Sequence, residues 1–272
     1  MFLSVIIPAY NEEKRLPATL KKVKAYLEKQ SYDWEVLIVN DGSRDRTAEV
    51  AGRMIENPKS EYRNSKQYLN YKNQNIKLIN NRENKGKGAV VKQGMLAAKG
   101  EWRLFMDADN STDISEIEKL FNFANPKSEI LNPKQILNYN DQNSEKYEII
   151  IGSRYLKSDS IKIKQPLGRR LISRLGNWLI RILLGLDVAD TQCGFKLFSA
   201  KATADIFPKQ TISRWGFDME ILAIAKHRGY QIKEVAVDWY DAAGSQVKKS
   251  AAFKTLKELI TIKWNLMRGK YK

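Results

Sequence analysis

Apolar runs separated by helix-length segments constrain the fold of this 272-residue chain more than any other feature. SVIIPAY (4–10) is continuously apolar, as expected of a strand buried on both faces. EVLIVN (35–40), IKLIN (76–80), WRLFMDAD (102–109) and YEIIIGSR (147–154) read the same way. Between them, residues 12–30 place Leu16, Leu20, Val23 and Leu27 at helical spacing, and further helices are predicted near 45–56, 87–99 and 114–124. Strands alternating with helices of this length predict an α/β doubly wound, mostly parallel central sheet with helices on both faces. Ligands of such sheets sit beyond the carboxyl ends of the strands.

Polar residues gather there. Asp107-Ala108-Asp109 follows an apolar strand and places two carboxylates at the sheet edge. Such a pair suits a divalent ion that neutralises a departing diphosphate, with phosphate oxygens and water completing its shell. The plain alternative is a solvated loop whose Asp caps the next helix. Asp41-Gly42-Ser43 ends the second strand, where Asp41 suits a base or ribose, or caps a turn. Pro8-Ala9-Tyr10-Asn11-Glu12 ends the first, with a ring to pack on a base and a carboxylate for its donors. Lys85-Gly86-Lys87-Gly88 opens a helix, where free N–H groups and lysines favour phosphate, unless it is only a solvated turn.

Two Asn-, Lys- and Gln-rich stretches, 57–75 and 125–143, match each other at most positions. They read as copies of one inserted surface element, tolerated because surface loops lengthen at small entropic cost. A single cysteine, Cys193, excludes an internal disulfide framework and suits a reducing compartment. Met1 runs straight into the first strand with no basic lead, which predicts no signal peptide, and no stretch is apolar enough to span a bilayer. The net charge of +16 attracts polyanions, whether nucleic acid, anionic headgroups or phosphorylated substrates.

SVIIPAYNEE, VNDGSRDRT, NKGKG, DAD and GSR, in this order, resemble the family-two inverting glycosyltransferases, which have a nucleotide-sugar-binding Rossmann-like fold of the GT-A type. RRLIS (169–173), DTQCGFKLF (190–198), RWGFDMEIL (214–222) and EVAVDWYDAAGSQ (234–246) are similar to the dolichyl-phosphate glucosyltransferase branch, close to the mannose synthases. The resemblance implies hexose transfer from a nucleotide sugar to a polyprenyl phosphate, with Mg²⁺ or Mn²⁺ as cofactor. By it, Pro8, Tyr10, Glu12, Val39 and Asp41 line the nucleoside pocket. Asp107 and Ala108 face ribose and diphosphate, and Asp109 holds the metal. Arg154 and Arg169 hold the lipid phosphate, with Lys196 near the same anionic site. Asn40 replaces the first Asp of the usual D-D-G-S, and Ser111 stands where mannose synthases place a metal-binding Gln. Asp241, where those synthases carry Arg, favours the glucosyl branch and a UDP-glucose donor. Gln210 and Arg214-Trp215 are spaced wrongly for a processive polysaccharide synthase.

A phosphate acceptor is already ionised near neutral pH, so positioning and charge neutralisation carry the transfer. Asp218 in RWGFDMEIL is the candidate for an added base or a sugar-hydroxyl ligand; otherwise it supports a helix N-terminus. LGRRLISRLGNWLIRILLGL (167–186) and 251–272 read as basic amphipathic helices suited to a headgroup boundary, or to packing on the core. The chain thus reads as one catalytic domain: a nucleotide-sugar half (1–165), an acceptor half (166–248) and a C-terminal amphipathic helix (249–272). It is expected in the cytoplasm, peripheral on the cytosolic membrane face. Rival readings are mannosyl transfer from GDP-mannose, a glycosyltransferase with a non-lipid acceptor, and a nucleic-acid-binding protein. The last lacks a ribonucleoprotein aromatic motif, zinc-finger spacing or recognition helix, so nucleic acid is not expected as a partner. A dinucleotide oxidoreductase lacks G-x-G-x-x-G after the first strand.

Overall fold

A computed structural model of the chain describes residues 1–55, 75–124, 147–157, 167–240 and 251–272, with backbone alone for 167–175 and 251–253. The matching stretches lie outside the described residues except for residue 75, as do Asp241 and the side chain of Arg169.

The strands are β1 (Leu3–Ala9), β2 (Trp34–Asp41), β3 (Ile76–Asn81), β4 (Trp102–Met106), β5 (Ile149–Ser153), β6 (Phe195–Ser199) and β7 (Ile232–Ala236). They form one seven-stranded sheet ordered β3-β2-β1-β4-β6-β5-β7. β1 pairs parallel with β2 and β4, β2 with β3, and β5 with β7. β6 runs antiparallel to both β4 and β5. The sheet is thus mostly parallel, and β6 interleaves the two halves expected from the chain order.

The helices are α1 (Leu16–Leu27), α2 (Thr47–Ile55), α3 (Lys87–Ala97), α4 (Ile117–Phe121), α5 (Leu167–Leu184), α6 (Ala200–Ile206), α7 (Phe217–His227) and α8 (Ala251–Met267). Successive strand residues point to opposite faces, so Val5 and Ile7 face one layer while Ile6 faces the other. The first layer takes Leu16, Leu20 and Leu27 from α1 and Ile117 and Leu120 from α4. The second takes Val90 and Met95 from α3, Ile221 from α7, and Leu259 and Ile262 from α8. Both faces being covered explains why β1, β4, β5 and β6 are apolar almost throughout.

One edge collects the loops that matter. The carboxyl ends of β1, β2, β4 and β5 lie along it because those strands share one direction. β6 points the other way, so the loop leading into it, Asp190 to Gly194, arrives at the same edge.

Candidate active site

The loops after β1 and β2 are stitched together. Asn11, at φ 55°, accepts from Arg44 N–H (2.9 Å) through its side chain, and its own N–H donates to Ser43 Oγ (2.9 Å). Glu12 N–H donates to Thr47 Oγ1 at 2.7 Å. Asn tolerates this left-handed backbone better than most residues, so the turn can bring Tyr10 and Glu12 over the sheet edge.

Asp41 organises the phosphate-type loop. Its carboxylate accepts from the N–H groups of Lys85 (2.6 Å) and Gly86 (3.0 Å) and from Asn84 Nδ2 (2.9 Å). Burial pushes this carboxyl above the ordinary aspartate range, partly offset by those donors. Gly86 caps α3 at φ 99°, where a side chain would be strained and would also overlap the Ser213 carbonyl. Asn40, which replaces an Asp of the family pattern, donates to Asn80 Oδ1 across the ladder at 2.7 Å.

β4 ends at Met106, so Asp107-Ala108-Asp109 forms the loop beyond it and not its last turn of strand. Asp107 pairs with Lys87 Nζ at 2.6 Å. Burial pulls the Lys87 ammonium down, yet the charges of Asp107 and Asp218 outweigh it and hold it above the ordinary lysine range. Gly194 leaves room for Asp107, since a Cβ there would overlap its carboxylate. Asp109 accepts from Ser111 N–H at 3.0 Å, and the Ala108 carbonyl accepts from Thr19 Oγ1 at 2.7 Å. Asn110 turns the loop at φ 54°.

Arg15 completes this end of the site, and the sequence reading assigned it no role. It holds Glu12 through Nε (2.7 Å) and Nη2 (2.5 Å), while Nη1 lies 3.9 Å from Asp109 Oδ2. Burial raises the Glu12 carboxyl, Arg15 lowers it, and the nearby charges of Asp109 and Asp107 raise it further. Glu12, Asp107 and Asp109 therefore share one electrostatic neighbourhood, partly neutralised by Arg15 and Lys87. The only forewarning was the three-residue spacing of Glu12 and Arg15 at a helix start.

Across the edge, Arg154 follows β5. Its Nε and Nη2 grip Asp190 at 2.7 and 2.8 Å, and its guanidinium lies against the rings of Tyr155 and Trp239. Burial disfavours both charges, but the pairing wins: Asp190 stays below and Arg154 above its ordinary range. Nothing in DTQCGFKLF by itself predicts this role for Asp190.

Two sequence-based assignments are corrected. Lys196 has no exposed surface, because β6 sits inside the sheet; its ammonium donates to Asp218 Oδ1 and to the Cys193 carbonyl, each at 2.5 Å. It supports the floor of the site and has no face for a lipid phosphate. Val39 is likewise fully buried in the second core layer, so its side chain lines no nucleoside pocket. Asp218 stands in the first turn of α7, 5% exposed, with its carboxyl raised by burial and lowered by Lys196 and Lys87.

The residues present suit a hard divalent ion. Asp107 and Asp109 offer carboxylate oxygens, and no trio of His, Cys, Asp or Glu among the described residues would close a protein cage around a metal. A Mg²⁺- or Mn²⁺-type ion held by one or two carboxylates, with positions left for phosphate oxygens, fits that donor set.

Residues 4–207 match the model of glycosyl transferase family 2. The chain is 37% identical over 268 residues to a dolichyl-phosphate beta-glucosyltransferase of Trichomonas vaginalis, covering 96% of this chain and 73% of that one. It is 34% identical to the protein of that name from Saccharomyces cerevisiae and 31% identical to the one from Homo sapiens, covering 100% and 99% of this chain and 77% of each relative. Among solved structures, mannosyl-3-phosphoglycerate synthase from Rubrobacter xylanophilus superposes with TM-score 0.65 at 12% identity, covering 99% of this chain and 75% of that one. Glucosyl-3-phosphoglycerate synthase from Mycobacterium tuberculosis, solved with Mn²⁺, UDP-glucose and phosphoglyceric acid, gives 0.62 at 15% identity, covering 96% and 79%. At such identities the likeness is one of fold.

Proposed function

Since the chain belongs to glycosyl transferase family 2, we propose that it transfers glucose from UDP-glucose to a dolichyl-type polyprenyl phosphate, with inversion, at a membrane surface. What carries this reading is similarity, over nearly the whole of this chain and about three quarters of the relatives, to dolichyl-phosphate beta-glucosyltransferases, in a chain whose sheet edge gathers carboxylates on one side and an arginine across from them.

The donor lies along β1, β2 and β4. Tyr10 and Asp41 are on the nucleoside side, the buried Pro8 and Ala108 contribute backbone beneath it, and Lys87 is toward the diphosphate. Asp109, aided by Asp107, would hold Mg²⁺ or Mn²⁺, which supplies positive charge against the departing diphosphate. Lys87 and Arg15 add fixed cations that need no reorganisation as that charge develops. Across the edge, Arg154, locked in orientation by Asp190, faces the lipid phosphate. A phosphate monoester is ionised already, so no strong base is needed, which agrees with Asp218 being spent on Lys196. Direct displacement on an α-linked donor then yields the β-linked lipid.

Within one catalytic domain, residues 1–165 carry the donor side together with Arg154, 166–248 the rest of the acceptor side, and 249–272 the interface. No helix among the described residues is long and apolar enough to cross a membrane. A lipid acceptor calls for a protein that meets a membrane surface, and the proposal places it on the cytosolic face. The test offers UDP-glucose and GDP-mannose side by side with a polyprenyl phosphate. A glucosyl phospholipid from UDP-glucose alone is expected; a mannosyl lipid, or sugar transferred only to a water-soluble acceptor, overturns the reading.

A further inference from the structure

Two neighbouring helices turn large apolar side chains to the outside. On α8, Leu256, Ile260, Trp264 and Met267 recur at intervals of four, four and three, and on α5, Trp178 and Ile182 are one turn apart; all six are between 42% and 64% exposed. The two helices pack on each other. Scattered exposed apolar residues need no explanation, but a stripe along one helix continued on its neighbour does.

The stripe is not the by-product of a loosely held helix. The opposite side of α8 buries Leu259 and Ile262, and Glu258 accepts from Gly216 N–H at 2.7 Å. Just beyond α8, Tyr271 is wholly buried and donates to Glu220 at 2.7 Å. α8 therefore has a fixed rotation, with its outer stripe held open to solvent. The sequence pattern of 167–186 grouped Leu179 and Leu183 with Trp178 and Ile182, but the first two pack on the core and only the second two face out.

The borders of the stripe say what covers it. Lys257 and Arg268 lie on one side and Lys263 and Lys270 on the other, all exposed, and Arg268 stacks on the Trp264 ring at 4.6 Å. The exposed charged side chains described on α8 and the residues after it are all basic. A stripe of this width between two basic rows, carrying tryptophans, matches a headgroup boundary with anionic phosphates above an acyl layer. No helix among the described residues is long and apolar enough to cross a membrane, α8 included.

We infer that α5 and α8 form a rigid docking face for an anionic lipid surface. This rests on the lipid-acceptor reading above and extends it with an orientation. Gly216, tied to Glu258, follows Trp215, whose ring stands 5.4 Å from the Lys87 ammonium. The docked helix is thereby linked to the mouth of the donor site.

The experiment uses flotation of the full chain with vesicles of phosphatidylcholine alone or with phosphatidylserine. Wild type should float with the anionic vesicles, and Ile260→Glu and Trp264→Ser together should weaken this by at least about tenfold. The same variant should keep its rate on a short, detergent-dispersed isoprenyl phosphate, so loss of docking and loss of transfer are read separately. Unchanged flotation of the variant overturns the docking face. So does wild type that ignores both vesicles and self-associates as a dimer through these residues. Flotation without any transfer would instead remove the acceptor reading while leaving the face.

Discussion

Asp218→Asn separates the two roles open to that carboxylate. In the fold it accepts from the Lys196 ammonium at 2.5 Å, and that lysine has no exposed surface. An amide there keeps an acceptor oxygen but removes the compensating charge, so the buried ammonium is left with neutral acceptors only, the amide and the Cys193 carbonyl. Removing one partner of a buried pair costs about 3–5 kcal/mol, because the other charge stays desolvated. At about 2–4 °C per kcal/mol for a chain of this size, Tm should fall by roughly 10 °C. Lys196→Met added to Asp218→Asn removes both charges and should recover most of the loss. Calorimetry on wild type, Asp218→Asn, Lys196→Met and the double variant then yields a coupling of at least about 2 kcal/mol. Turnover measured well below the lowest Tm should fall only modestly in Asp218→Asn. Additive losses in the cycle, or a fully stable Asp218→Asn that has lost turnover, would refute the supporting role and return Asp218 to the substrate.

Other perturbations act on the same edge. Asp109→Ala should cut transfer by at least about 10²–10³-fold in a radiolabelled-lipid assay while circular dichroism stays unchanged; near-normal turnover would sink the assignment. Gly194→Ala places a methyl group on the Asp107 carboxylate, and the forced shift away from Lys87 should cost about 10²-fold in kcat/KM with Tm nearly kept. Burial pushes the Cys193 thiol up to about 12, so at pH 8 it should resist Ellman's reagent until the chain is unfolded. Its folded value lies above its unfolded one. The associated stability is therefore present below about pH 9 and lost as pH rises toward 12, which urea midpoints in that window should show.

Much of this was written locally. The apolar runs 4–10 and 35–40 could only be buried strands, because a helix of that pattern would be too short and a loop too apolar. Once they were strands in parallel order, Asp41, Asp107 and Asp109 had to lie at one edge, and the electrostatic link between Glu12, Asp107 and Asp109 agrees. The family resemblance added the acceptor and the sugar, which no periodicity encodes.

Partnership across the sheet was another matter. β6 carries the same apolar signature in either direction, yet its antiparallel insertion between β4 and β5 brings Asp190 and Gly194 to the site and sinks Lys196 beneath it. Arg15 gains its role only because the loop after β4, far away in sequence, brings Asp109 within 3.9 Å of it. Hydrophobic periodicity and short motifs reach only a few residues along the chain and specify which face is apolar and where a strand stops. Which charge meets which, and which face of a helix is left bare, depends on contacts between residues far apart in sequence, and these exist only once the layers have packed.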